Sequence, residues 1–95
     1  MTARALLSEA ELEAALAQLD GWALVEGKLH KEFEFDDFVG AFSFMSAAAL
    51  HAERMNHHPE WFNVYRTVRV DLSTHDLGGV STWDVELARV FDRLA

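Results

Sequence analysis

Three histidines stand where side chains can do proton chemistry. His57 and His58 lie in Asn56-His57-His58-Pro59, and His75 lies in Ser73-Thr74-His75-Asp76. Imidazole, with an unperturbed pKa of about 6.5, gives and takes protons near neutrality. Glu53 precedes His57 by four residues. On a helix the two share one side, so the Glu53 carboxylate is expected to stabilise positive charge on His57. The partial negative charge of a helix C-terminus acts in the same direction. A histidine held this way is a candidate general acid. From spacing alone, the commoner reading of a His-His pair at a helix end is a polar cap with exposed rings. Adjacent residues also point apart and chelate poorly, unlike histidines four apart on a helix, so no metal site is expected.

Other residues carry less. Trp61, Phe62 and Tyr65 read as strand and core residues. Trp22 reads as core too, reaching the edge of a pocket, and is counted among the substrate-binding candidates. His30 and His51 read as surface or helix-face histidines. No Gly-x-Ser-x-Gly nucleophile motif is present, and Gly78-Gly79 alone makes no phosphate loop.

The elements that position these residues follow from periodicity and capping signals. Ser8 and Glu11 form a capping box that opens a helix running to Leu19, with Leu12, Ala15, Leu16 and Leu19 as its apolar stripe and Gly21 as its stop. Trp22–Val25 and Lys28–Phe35 read as strands around the turn Glu26-Gly27. Leu29, Phe33 and Phe35 share one face, interrupted by Lys31. Asp36 or Asp37 caps a long helix reaching Met55 or Asn56, with Phe38, Phe42, Met45, Ala49 and Ala52 expected on its buried side. Pro59 disfavours helix at His58, so the helix ends before the histidine pair. Trp61–Tyr65 and Val68–Leu72 read as a hairpin with its turn near Arg66-Thr67. Ser81 and Asp84 give a capping-box-like start to a last helix, whose stripe is Trp83, Leu87, Val90, Phe91 and Leu94. The order helix-strand-strand-helix-strand-strand-helix predicts an α+β fold, an antiparallel sheet with helices packed on one face.

The 95 residues suit one domain, read as spanning 1–95. Half the chain is apolar (51%), enough for a core, although a chain this short often gains stability by oligomerising. Eight basic and sixteen acidic side chains give a formal charge of −8, which argues against binding nucleic acid through a basic face. The basic residues are scattered, which argues against an anionic membrane patch. Without cysteine there is no disulfide or thiolate chemistry. No signal peptide or long apolar run is visible, so a cytoplasmic protein is expected.

The run Glu53-Arg54-Met55-Asn56-His57-His58-Pro59-Glu60-Trp61-Phe62-Asn63-Val64-Tyr65, followed by Leu72-Ser73-Thr74-His75-Asp76, Gly79-Val80-Ser81 and Asp84, resembles the signature of the pterin-4a-carbinolamine dehydratase family. Leu19, Gly21-Trp22, Phe33-Glu34-Phe35 and Phe38 fit the family's first half, so the resemblance spans almost the whole chain. It implies a four-stranded antiparallel sheet with helices on one face. It also implies dehydration of 4a-hydroxytetrahydropterin to quinonoid dihydropterin, as part of tetrahydropterin recycling, with no cofactor.

By the resemblance, His57 and His75 supply acid–base catalysis from different sides of the pterin, and His58 helps bind or orient it. Glu53 and Asp84 support the pocket, and the Ser73-Thr74 backbone pairs with the pterin edge. Trp83 stands where relatives often carry a basic residue, a departure that bears on affinity or pterin preference. The family forms dimers and tetramers, so a homo-oligomer is expected. The alternative is a non-catalytic protein-binding module of the same fold, since animal members bind a transcription factor's dimerisation helices. The intact histidine trio favours the enzyme.

Overall fold

The structure is a computed structural model that describes residues 4–95. Met1, Thr2 and Ala3, counted above in the domain and in the N-terminal reading, lie outside the described residues. Helix α1 spans Glu9–Gln18, and its Ser8–Glu11 capping box forms as expected. Strands β1 (Ala23–Val25) and β2 (Lys28–Glu34) are joined by Glu26 and Gly27, with φ of 51° and 79°. Two successive residues at positive φ make the kind of tight turn whose twist matches paired strands.

Helix α2 (Phe38–Met55) starts at Asp37, whose side chain accepts from the Gly40 N–H at 2.8 Å. It leads to β3 (Glu60–Val64) and β4 (Thr67–Leu72). The turn between them falls at Tyr65-Arg66, one residue earlier than expected, with Tyr65 at φ 51°. A 3₁₀ turn at His75–Leu77 and helix α3 (Thr82–Leu94) complete the chain.

The strand order is β1-β2-β4-β3, antiparallel throughout. Strands β2 and β3 therefore run parallel with β4 between them, and α2 makes the crossover. Register decides what faces inward. Leu29 pairs with Leu72 and Phe33 with Val68, and all four are buried. The opposite face carries His30, Glu32, Arg69 and Asp71 toward solvent or at partial exposure. Lys31 does interrupt the inner face of β2. Its ammonium donates at 2.8 Å both to Asp92 and to the Asp20 carbonyl, which removes the cost of placing a charge there.

The face of α2 differs from expectation. Its buried residues are Ala41, Phe44, Ala48 and Ala52, whereas Phe38 and Phe42 are about half exposed and Ala49 is exposed. Only Ala52 of the expected stripe is fully buried, with Met45 packed at the core's margin. The helix is apolar on more than one side, so periodicity alone does not choose between faces. Alanines at 41, 48 and 52 let it approach the sheet and α3 closely, and the Phe38 and Phe42 rings stack on each other outside, with centroids 5.8 Å apart.

Candidate active site

Three segments meet beyond one end of the sheet. The first is the end of α2. Asn56 takes a left-handed conformation (φ 52°, ψ 43°), its N–H bonds to the Glu53 carbonyl, and the His57 N–H returns to the Ala52 carbonyl, both at 3.0 Å. This pair of bonds closes the helix and swings His57 off its axis into the protein. The second is the exit of β4. The Thr74 N–H donates to the Gly79 carbonyl at 2.8 Å, and the Thr74 carbonyl takes the N–H groups of Leu77 and Gly78 at 3.0 Å each. Gly78 sits at φ 73°, in the left-handed region that glycine adopts without penalty. The tight loop leaves His75 exposed at its tip. The third is the start of α3, where Ser81 and Asp84 complete a capping box.

Asp84 joins the three. It is fully buried, and so nearly are His57, Thr74 and Ser81. Its Oδ2 accepts from the Ser81 N–H and the Thr74 hydroxyl, both at 2.8 Å, and its Oδ1 meets His57 Nε2 at 2.5 Å. An ionised carboxylate only accepts, so Thr74 and His57 Nε2 both donate to it. The Thr74 oxygen then accepts from the Ser81 hydroxyl, whose oxygen accepts from the Trp83 N–H at 3.2 Å. Each donor in the chain has one available direction, so the His57 tautomer is set, with the proton of the neutral ring on Nε2. Among the described residues no buried side-chain nitrogen or oxygen lacks a partner. The Nδ1 of His57 has no hydrogen-bond partner among the described residues and so is not sealed from solvent, and His57 lines a cleft together with Arg4, Asn56, His58, Ser73, Thr74, His75 and Asp76. A second cleft, of about 200 Å³ like the first, lies on the other side of Ser73, Thr74 and His75, against Glu26, Gly27 and Lys28.

The arrangement revises two expectations. Glu53 pairs with His58, at 2.8 Å between exposed groups, and not with His57. Helical spacing stops applying at Asn56, where the backbone turns left-handed. The partner of His57 is Asp84, which the sequence showed as a helix cap. The second revision concerns Thr74, whose backbone N–H and carbonyl are both committed within its own loop. Its hydroxyl donates to Asp84.

A family model described as pterin 4 alpha carbinolamine dehydratase matches residues 5–94. The chain belongs to the pterin-4a-carbinolamine dehydratase family. A relative from Solibacter usitatus, provisionally named a pterin-4-alpha-carbinolamine dehydratase, is 55% identical over 89 residues, 94% of each chain. One from Brucella ovis with the same provisional name is 47% identical over 95 residues, 98% of each chain. A crystal structure from Brucella melitensis, described as a transcriptional coactivator/pterin dehydratase, superposes with a TM-score of 0.90 at 47% identity. It covers 94% of this chain and 97% of its own.

In this member of the pterin-4a-carbinolamine dehydratase family, His57, His58, His75, Ser73 and Thr74 line one cleft, with Asp84 beneath His57 and Glu53 beside His58. Trp22 does not join them. It is buried in the core, edge-on to Phe33, and its indole N–H donates to Asp92 at 3.0 Å. Asp92 lies eight residues beyond Asp84 on α3, roughly 12 Å along the helix. An apolar residue of this size satisfies the core before it reaches a pocket. Sequence reasoning missed Ser81 as a partner of Thr74, and missed Arg4 altogether. The first was visible only as a cap. The second had no signal, because 70 residues separate Arg4 from Thr74. Among the described residues no three His, Cys, Asp or Glu side chains converge as metal ligands, and no helix is long and apolar enough to cross a membrane.

Proposed function

We propose that the protein dehydrates 4a-hydroxytetrahydropterins, with His57 and His75 exchanging protons at the reacting edge of the ring. One observation carries this reading. The Asp84–His57 pair fixes a histidine whose free nitrogen faces a cleft shared with His58 and His75. In the reaction the C4a–O bond breaks as an imidazolium protonates the hydroxyl, which leaves as water. The N5 lone pair forms the C4a=N5 bond, and the N5 proton passes to a second imidazole. The product is the quinonoid dihydropterin, which belongs to a recycling sequence that begins with pterin-dependent hydroxylation and ends with reduction. General acid–base catalysis of this kind contributes about 10²–10⁴-fold. The buried Asp84 carboxylate stabilises the positive charge that forms when Nδ1 takes a proton. His58, held by Glu53, contacts the substrate and orients it. The names of the relatives support the substrate class.

The test is a turnover assay with freshly generated carbinolamine. Micromolar protein should speed dehydration well above buffer and should do so after exhaustive chelation. A rate equal to that of buffer would reject the enzyme, and activity lost with a removed metal would reject the mechanism.

A second role is favoured by the uncovered apolar side chains of α2. Phe38, Val39, Phe42 and Leu50 are 49–70% exposed, and such a face is suited to association. The protein is proposed to form a homo-oligomer, a tetramer in preference to a dimer. A non-catalytic protein-binding role would use the same face, and only that role would survive loss of the histidines.

A further inference from the structure

The N-terminal segment is strapped across the start of α3. The Thr82 N–H donates to the Ala5 carbonyl and the Leu7 N–H to the Val80 carbonyl, both at 3.0 Å, and Leu6 bridges Ser81 in antiparallel fashion. These bonds fix the chain on one side of Arg4 and bring its side chain over Trp83. The guanidinium carbon lies 4.3 Å from the centroid of the indole, and Nη1 lies 3.5 Å from Asp76 Oδ2. The indole in turn meets the His57 ring edge-on at 5.9 Å. Arg4 is the only permanently cationic side chain among the described residues lining the cleft of the three histidines. Its seat is built from a π-face and a carboxylate, which together orient a planar fork with five N–H donors. A solvated surface arginine has no such seat.

Substrate chemistry supplies a group for it to bind. The reaction occurs at C4a and N5, and C6 is bonded to N5. A substituent at C6 therefore leaves the ring beside the reacting atoms, and Arg4 lines the same cleft as the histidines proposed to serve those atoms. Resting on the dehydratase reading, we propose that Arg4 is a specificity-determining residue: its guanidinium binds an oxygen-bearing, hydrogen-bond-accepting side chain at C6 of the pterin. Such a contact favours hydroxylated side chains over purely hydrocarbon ones. Lysine would replace it poorly, because an ammonium neither stacks on the indole nor presents a fork.

The experiment compares 4a-carbinolamines carrying a methyl or a dihydroxypropyl group at C6, using wild type, Arg4→Ala and Arg4→Lys. Equilibrium binding of the oxidised, unreactive pterins with the same two side chains is measured in parallel. The wild type should prefer the hydroxylated substrate. Arg4→Ala should reduce that preference in kcat/KM about tenfold, the value expected of a charged hydrogen bond, through KM and binding affinity and not through kcat. Arg4→Lys should restore less than half of it. A merely structural role would lower both substrates alike, and that result overturns the proposal, as does an unchanged preference. Turnover without Arg4-dependent discrimination defeats this inference and leaves the dehydratase reading intact. Discrimination in binding without turnover does the reverse. Neither turnover nor pterin binding defeats both.

Discussion

An asparagine at position 84 keeps the volume of the aspartate but replaces an acceptor-only group by one that also donates. The Ser81 N–H cannot reverse its direction, so the amide oxygen stays toward Ser81 and Thr74, and the amide nitrogen faces His57. The ring must then accept at Nε2, and its proton moves to Nδ1, the nitrogen that faces the cleft. Asp84→Asn should therefore slow turnover of the 4a-epimer that His57 serves by about 10²-fold, no further than His57→Ala does, and nitrogen NMR should read the tautomer change directly. Retention of activity with the wild-type tautomer would show that Asp84 serves only as a cap. Glu53→Gln is a different case. The exposed Glu53–His58 pair is worth about 0–1 kcal/mol, so the variant should raise KM by no more than about fivefold. It should leave the limb of the pH–rate profile that reports His57 in place. A moved limb would restore Glu53 as the partner of His57. The earlier expectation rested on helical spacing, which was sound up to Met55. Asn56, of a type that takes the left-handed conformation readily, ends the helix where Pro59 led it to be expected, but no pattern in the chain announced that His57 would be carried inward to a residue 27 positions later.

The elements themselves were legible where local chemistry decides them. Ser8 and Glu11 were read as a capping box because the spacing requires it, and the structure forms both bonds, with the Ser8 N–H to Glu11 at 2.8 Å and the Glu11 N–H to Ser8 at 3.1 Å. The backbone bond from Ser8, and then its hydroxyl, hold the Glu11 carboxyl below its ordinary value of 4.5. A lowered folded-state value stabilises the fold above that ordinary value, and the contribution is lost as pH falls through the lowered one. Glu11→Gln should therefore make acid unfolding less steep in that window, as followed by circular dichroism; an unchanged acid limb would deny the cap any part in it. Which face of α2 is buried was not legible, because the choice depends on close approach to the sheet and to α3. Ala48→Leu, at a fully buried position, should cost about 1–3 kcal/mol by overpacking, whereas Ala49→Leu, at an exposed one, should cost little. Urea unfolding of the two variants distinguishes them, and equal costs would place the core face elsewhere on the helix.

For the molecule as a whole, the apolar side chains exposed on α2 are the basis of the proposed association. Light scattering should give an oligomer, and Phe42→Asp should reduce its mass by putting charge on the apolar face; a monomeric wild type would contradict the proposal. The site also belongs to the whole molecule, since one catalytic candidate follows a helix, the other follows a strand, and the support of the first comes from a third element. His57 and His75 line the cleft from different segments, and the proposed mechanism has each serve the hydroxyl on one face of the ring. Steady-state dehydration of the two separate 4a-epimers by wild type, His57→Ala, His75→Ala and the double variant tests this most directly. Each single variant should keep partial activity with opposite epimer preference, and the double variant should lose about 10²–10⁴-fold. Single variants that share the wild-type epimer preference, or a double variant no worse than either single one, would contradict the account.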